Sequence, residues 1–261
     1  MSGTRLNKFL SEVGYCSRRE GDQLIAAQRV TINGVVPELG TKVQPGDVVR
    51  VDGHPVQERS QEHVYIAYNK PLGIISTTDT RIKDNIIDAV NYPTRIFPIG
   101  RLDKPSEGLI LLTDDGDIVN KLLRARYNHE KEYLVTVDRP ITAKFLRKMR
   151  AGVPILDTVT QPCVVTKVSE RCFRIILTQG LNRQIRRMCQ HLSFRVVALK
   201  RIRIVNIHLD LEPGQWRPLR QTELAELQRR LESPRQVSTP RRRPNTERRD
   251  RGNPRRRARG R

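Results

Sequence analysis

Asp103 is the residue of this sequence that is best placed to do chemistry. It follows an apolar approach that ends at Gly100, and it precedes the apolar run 109–112, which is typical of a buried strand. Pro105 and Gly108 force a loop between these segments, and loops on a rigid scaffold often carry reactive groups. A carboxylate there could attack a carbon centre or stabilise developing charge. Alternatively, Asp103 only accepts backbone N–H bonds within its own turn.

The charge of the chain indicates a polyanionic partner. The 261 residues include 49 Lys and Arg against 28 Asp and Glu, which gives a net charge of +21. Such an imbalance favours binding to nucleic acid. A membrane surface is the competing partner, but we find no long basic amphipathic helix, lipidation signal, membrane-spanning apolar run or secretory leader. We therefore expect a cytoplasmic protein without membrane association.

The cysteines and histidines do not suggest a metal site. The four cysteines are scattered and form no Cys-x-x-Cys pair, and the five histidines lack the spacing of ligands. No cofactor motif is present either. We expect neither a metal nor a cofactor.

Residues 1–55 predict a small module of two helices and a short sheet. Ser17 and Glu20 have the spacing of a capping box, which predicts a helix start. Asn33-Gly34 between two apolar pairs predicts a β-hairpin over residues 30–36. The polar residues 56–63 predict a linker.

Residues 64–232 predict a larger α+β domain, because its strands and helices do not alternate strictly. Thr142 is the predicted cap of one helix, and Asn182 the predicted cap of another over 183–192. The second of these helices buries Ile185, Met188, Cys189 and Leu192, so its arginines must flank or oppose that stripe. Further predicted strands and helices lie at 64–68, 109–112, 117–126, 133–137, 163–168, 172–178, 195–199, 203–209 and from Thr222 onward.

Residues 233–261 have a different composition. They contain twelve arginines against Glu247 and Asp250, a net charge of +10, with almost no apolar residues. Such a segment cannot bury enough surface to offset the entropy of ordering, so we predict a disordered tail. It is either an arm that binds phosphates or a tail that only improves solubility.

Three motifs, in order along the chain, resemble those of the bacterial ribosomal RNA pseudouridine synthases of the RsuA type. They are Gly100-Arg101-Leu102-Asp103, Lys131-Glu132-Tyr133, and the run from Gln179 to Met188. Asn69-Lys70-Pro71 is similar to the opening motif of that family, and the N-terminal module resembles an S4 RNA-binding domain. The resemblance covers about residues 4–232. It implies an S4-like domain joined to a catalytic domain with a large, mostly antiparallel mixed sheet flanked by helices.

The resemblance implies that Asp103 is the catalytic aspartate of uridine-to-pseudouridine isomerisation. Arg186 is implied as its paired cation, although it could simply bind phosphate. Tyr133 is implied as the ring that stacks on the target base, whereas a strand tyrosine is ordinarily a core residue. Arg101 would fill the space left by a flipped nucleotide or contact a phosphate.

The same resemblance implies an RNA partner, and within the family the chain is most similar to a member that acts on 23S ribosomal RNA. A tRNA or a partly assembled large subunit is a further possible substrate, and a monomer is expected. The alternative is an RNA-binding ribosome assembly factor without chemistry. The residues that we expect to bind RNA are Arg5, Lys8, Arg18 and Arg19 in the N-terminal module and Lys70, Arg183 and Arg187 in the larger domain, with Lys70 alternatively structural.

Overall fold

The computed structural model describes residues 3–57, 62–123 and 129–232. The predicted tail at 233–261, part of the predicted linker and the end of the helix predicted at 117–126 therefore lie outside the described residues. In the part of the chain that is described, no helix is long and apolar enough to cross a membrane.

The N-terminal elements pack around a small apolar core of their own. A capping box starts the second helix, since Ser17 N donates to Glu20 Oε2 at 2.7 Å and Glu20 N donates to Ser17 Oγ at 3.2 Å. The core is formed by Leu6, Leu10, Ile25, Val30, Val43, Val49 and Val51. The elements are β1 (Thr4–Arg5), α1 (Leu6–Glu12), α2 (Arg18–Ala26), β2 (Val30–Ile32), β3 (Lys42–Val43), β4 (Val49–Val51) and β5 (His54–Pro55).

The hairpin predicted over residues 30–36 is only partly present. Asn33 and Gly34 do turn the chain with positive φ angles of 52° and 85°, but a single bridge joins Ile32 to Val35 and no second strand follows. β2 pairs with β4 instead, and the Asn33 side chain accepts from Val48 N at 2.9 Å. Val35 is 69% exposed, so the second half of the predicted hairpin has no apolar face to bury.

The larger domain is built on one mixed sheet, which confirms the predicted fold class. Its strands are β6 (Tyr65–Lys70), β7 (Phe97–Pro98), β8 (Glu107–Thr113), β9 (Lys131–Val137), β12 (Val164–Lys167), β13 (Cys172–Leu177), β14 (Val196–Ile204), β15 (Ile207–His208) and β16 (Trp216–Pro218), and β10 (Pro154–Ile155) pairs separately with β11 (Thr158–Val159). Within the described residues these nine strands have the order β12-β13-β9-β14-β8-β6-β16, with β15 on β14 and β7 on β8. In this sheet only β14 and β8 run parallel; the other pairs are antiparallel.

Helices cover the sheet through three apolar clusters. Thr142 caps α5 as predicted, since its hydroxyl accepts from Phe145 N at 3.1 Å. The stripe of α6 is buried at Ile185, Met188 and Cys189, also as predicted. The helices of this domain are α3 (Ile86–Val90), α4 (Gly116–Leu123), α5 (Ala143–Ala151), α6 (Gln184–His191) and α7 (Gln221–Glu232).

The prediction of separate strands at 195–199 and 203–209 is wrong, because β14 runs unbroken from Val196 to Ile204. Its register against β9 shifts twice, between Val196 and Ala198 and between Arg201 and Arg203. Arg201 Nε donates to the Leu109 carbonyl at 2.6 Å, and Arg203 Nε to Glu132 Oε2 at 2.7 Å. The contacts of Arg203 with Glu130 and Glu132 compensate its charge, whereas the hydrogen bond to Leu109 satisfies only part of the Arg201 guanidinium.

Gly108 allows the parallel contact between β8 and β14. It lies opposite Arg201 and has a φ of +104°, which side chains with a Cβ rarely adopt. A Cβ at this position would lie 2.3 Å from the Arg201 carbonyl oxygen. The two backbones can therefore come this close only at a glycine.

Candidate active site

The loop that carries Asp103 is fixed on both sides of the aspartate. The buried Ser76 hydroxyl donates to the Leu102 carbonyl at 3.0 Å and accepts from the Leu102 N–H at 3.2 Å. After the aspartate, Ser106 N donates to the Asp103 carbonyl at 2.9 Å. The backbone on each side of the carboxylate is thus held, while its side chain is 33% exposed.

Helix α6 brings two arginines to this carboxylate. Arg186 Nε and Arg183 Nη1 each lie 3.9 Å from Asp103 Oδ2. Arg186 is anchored on the same loop, since its Nη2 donates to the Pro105 carbonyl at 2.6 Å and to Ser106 Oγ at 3.0 Å. The structure therefore brings together the aspartate and arginine that the sequence suggested as a pair.

Burial lowers the pKa of the Arg186 guanidinium, and the neighbouring charge of Arg183 lowers it further, whereas Asp103 acts in the opposite direction. An arginine starts from so high a pKa that it remains a cation at neutral pH. The Arg183 and Arg186 guanidinium groups both lie near Asp103, so the carboxylate faces a positively charged wall.

The prediction that Asn182 caps α6 is wrong. Arg183 takes the N-cap position in a left-handed conformation, with a φ of 48° and no side-chain cap. The Asn182 side chain instead accepts from Arg187 Nη2 at 3.1 Å, and the Leu181 N–H donates to Gln184 Oε1 at 3.0 Å. The left-handed turn places Arg183 within reach of Asp103.

A cavity of about 280 Å³ opens beside the carboxylate. Tyr133, on β9, lines it half-buried, and the exposed Arg101 lines it from the Asp103 loop. Its wall thus combines a carboxylate, an aromatic ring and several guanidinium groups, which together suit a flipped nucleotide. The lining residues that carry charge or an aromatic ring are Arg101, Asp103, Tyr133, Arg183 and Arg186.

The residues predicted to bind RNA fall into different environments. Arg5, Arg18 and Arg19 are exposed on the N-terminal elements. Lys8 is an exception, because its ammonium lies 3.0 Å from both Glu12 and Asp117 and so joins α1 to α4. Its charge is already compensated, which weakens the expectation of a phosphate contact. Arg183 lines the cavity beside Asp103, whereas the Arg187 guanidinium donates to the carbonyl and side-chain oxygens of Asn182.

Lys70 does not reach the surface, so the prediction of an RNA contact there is corrected. Its side chain is fully buried, and Nζ donates to the Pro71 and Ile74 carbonyls at 2.9 and 2.8 Å. Burial lowers its pKa to about 8, against the opposing effect of Asp103. Lys70 is a structural residue that also adds positive potential behind the site.

Sequence reasoning missed four residues of the site. Ser76 and Ser106 hold the Asp103 loop and Arg186, and a lone serine gives no signal for such a role. Lys131 and Arg201 lie close to Tyr133. Lys131 belongs to the Lys131-Glu132-Tyr133 motif and could have been found from it, whereas nothing in the sequence distinguishes Arg201 from the other basic residues near it. No group of three or more His, Cys, Asp or Glu side chains in the described ranges could hold a metal ion.

Two protein-family models match this chain. The S4 domain model matches residues 4–49, and the model described as RNA pseudouridylate synthase matches residues 64–191. The chain is 55% identical over 234 residues to the dual-specificity RNA pseudouridine synthase RluF of Escherichia coli K12, covering 89% of this chain and 81% of the relative.

Two further matches are more distant. The ribosomal large subunit pseudouridine synthase B of Bacillus subtilis is 35% identical over 233 residues, covering 85% of this chain and 95% of the relative. A crystal structure titled pseudouridylate synthase superimposes with a TM-score of 0.63 at 29% identity, covering 86% of this chain and 99% of that one.

Proposed function

This chain belongs to the RNA pseudouridine synthase family, and we propose that it converts a specific uridine of 23S ribosomal RNA to pseudouridine. The observation that carries the proposal is the Asp103 carboxylate, flanked at 3.9 Å by Arg183 and Arg186 and open to a cavity that Tyr133 lines. A protein that only binds a polyanion gains nothing from a carboxylate at this position.

The isomerisation exchanges one bond to the ribose for another. The N1–C1′ bond of uridine breaks, the base turns, C5 bonds to C1′, and the proton on C5 is lost while N1 gains one. No electrons enter or leave the substrate. A carboxylate close to C1′ and nearby cations can assist this exchange, because they stabilise charge that develops as the glycosidic bond breaks.

Each neighbouring residue has a distinct proposed role. Arg186 orients Asp103 and balances its charge, and Arg183 adds to the positive potential at the mouth of the cavity. Tyr133 stacks on the target base, since an aromatic ring binds an unstacked base without reading its identity. Arg101 takes the place of the extruded nucleotide in the RNA, which requires a long exposed cation at the rim.

We assign the remaining parts of the chain to RNA binding. Residues 1–55 bind a structured RNA stem through Arg5, Arg18 and Arg19, and residues 56–63 link them to the catalytic domain. That domain, residues 64–232, carries out the chemistry, and residues 233–261 contact phosphates. The large-subunit substrate is supported by the name of the Bacillus subtilis relative, and a second RNA substrate by the dual specificity in the name of the Escherichia coli one. We propose a tRNA as this second substrate. The protein would act as a cytoplasmic monomer on free RNA or a partly assembled subunit.

Tritium release tests this function. Ribosomal RNA labelled with tritium at C5 of uridine loses label to water when pseudouridine forms, so the wild type should release tritium and Asp103→Asn should not. The asparagine keeps the size of the side chain, and RNA binding should persist. Equal release from both proteins would remove Asp103 from the mechanism, and none from either would favour a binding protein without chemistry. Sequencing of the modified RNA then locates the uridine.

A further inference from the structure

A second cavity of about 390 Å³ adjoins the one that contains Asp103. The two cavities share part of their walls, including Arg101, Tyr133 and Leu181. Its size is within the roughly 300–1,000 Å³ of typical small-molecule sites. Because the walls are continuous, one RNA strand could occupy both cavities at once.

The lining of the second cavity is divided by chemistry. One part is apolar and includes Ile99, Leu111, Leu122, Leu123 and Ile204; another carries the cations Lys131 and Arg201. Among the described residues that line it, none is an aspartate or a glutamate. An apolar wall next to uncompensated cations suits a base attached to a phosphate.

Arg201 has an unused hydrogen-bond donor that is buried in the wall of this cavity. Its side chain is 4% exposed, and its Nε donates to the Leu109 carbonyl at 2.6 Å. Nη2 is buried and has no hydrogen-bond partner among the residues described. The guanidinium carbon lies 6.0 Å from the centre of the Tyr133 ring, so this donor sits beside the partition between the cavities. A buried, charged donor without a partner is costly, and an anionic ligand would remove that cost.

Lys131 supplies a second charge with a similar need. Its Nζ donates to the His129 carbonyl at 3.2 Å, and burial together with the charge of Arg201 lowers its pKa to about 8. Two cations that repel each other in a partly dry site would both gain from one bound anion.

We infer that the second cavity binds the nucleotide next to the target uridine, with its base against the apolar wall and its phosphodiester on Arg201 and Lys131. This inference rests on the proposed function, and it gives the enzyme a contact outside the reacting base. The target itself must lie in the first cavity, since Asp103 lines only that one. An inorganic phosphate would bind the two cations but would make no contact with the apolar wall, so a nucleotide fits the second cavity better.

A charge-removal cycle tests the inference by binding alone. The RNA is a hairpin containing the uridine located by the tritium and sequencing experiment, with a neutral methylphosphonate replacing one phosphate at a time on either side of it. All proteins carry Asp103→Asn, so that no chemistry intervenes. We expect one of the two methylphosphonates next to the uridine to weaken RNA binding about tenfold. In a protein that also carries Lys131→Met, the same methylphosphonate should weaken binding less than twofold. The salt slope of Lys131→Met should fall by about 0.7 to 1.

Two variants complete the design. Lys144→Met removes an exposed lysine of α5 that lines neither cavity, and it should keep the full tenfold effect. Lys131→Arg keeps the charge, should retain most of the effect, and guards against loss of folding in Lys131→Met. If every methylphosphonate weakens binding equally in Lys131→Met and Lys144→Met, the cavity holds no phosphate and the inference is wrong.

A separate measurement does not depend on catalysis. The dinucleotide UpU should protect Lys131 from an amine-acylating reagent, as read by mass spectrometry, whereas uridine without a phosphate should not. Absence of tritium release from the wild type, with protection by UpU intact, would defeat the proposed function and leave a phosphate site without a catalytic neighbour. Absence of protection by UpU, with tritium release intact, would defeat the second-cavity inference alone.

Discussion

Replacing Arg186 by methionine should reduce turnover without a matching loss of RNA affinity. The substitution keeps an unbranched side chain but removes the cation 3.9 Å from Asp103 Oδ2. Arg186 acts through Asp103 in our proposal, so the loss should appear in kcat and leave KM within a few-fold of the wild type.

The distance sets the expected size of the effect. Two unit charges 3.9 Å apart attract by ~4 kcal/mol at an effective dielectric constant of about 20. The Asp103 side chain is 33% exposed, so screening by water reduces this to ~2 kcal/mol. A loss of that size in the transition state corresponds to about a 30-fold lower kcat. The kcat of Arg186→Lys should lie between those of the wild type and Arg186→Met. A single ammonium cannot contact Asp103 and also bind Pro105 and Ser106 as the guanidinium does.

The assay is tritium release under single-turnover conditions at saturating enzyme, with thermal unfolding as a check on folding. Arg187→Met is the matched control, since it removes the same charge from the next position of α6 but contacts Asn182 and not Asp103. The control should weaken RNA binding and spare the rate of the bound complex. A kcat of Arg186→Met within threefold of the wild type would refute the reasoning, and so would equal losses in both variants.

Two more predictions concern charge. Burial lowers the pKa of Lys70 from 10.5 to about 8 in the folded chain. Between about pH 8 and pH 10.5 the unfolded chain therefore binds one proton more than the folded chain, so the free energy of unfolding increases as the pH rises. The unfolding free energy of the wild type, relative to Lys70→Met, should therefore rise by ~2 kcal/mol from about pH 8 to about pH 10, and a constant difference in urea titrations would contradict the burial argument. Removal of residues 233–261 should weaken RNA binding without changing the turnover of bound RNA. The slope of log binding constant against log salt concentration should decrease by about 0.7 to 0.9 for each phosphate contact that is lost. A Gly/Ser tail of equal length is the control, and an unchanged slope would mean that the tail binds no phosphate.

Local signals made part of the fold predictable. The capping box at Ser17 and the cap at Thr142 depend on residues three positions away, so the sequence contains both partners. The Asn182 cap failed because that side chain had a competing partner, Arg187, five residues further on. A cap prediction considers one turn of helix and cannot weigh such competition.

The supports of the site could not be predicted because their partners are far away in the chain. Ser106 meets Arg186 across 80 positions, and Ser76 meets Leu102 across 26. The sequence left Lys70 as either a structural or an RNA-binding residue; β6 lies between β8 and β16, and the side chain of its last residue donates to two carbonyls. The motifs indicated which side chains would react, and only tertiary contacts reveal what holds them.

The close contact at Gly108 holds the strand that follows the Asp103 loop against the strand that carries Arg201. Any larger residue would push these strands apart, and Arg201 would then move relative to the loop that carries Asp103. The absence of a side chain at one position thus sets how closely the two halves of the pocket region approach each other.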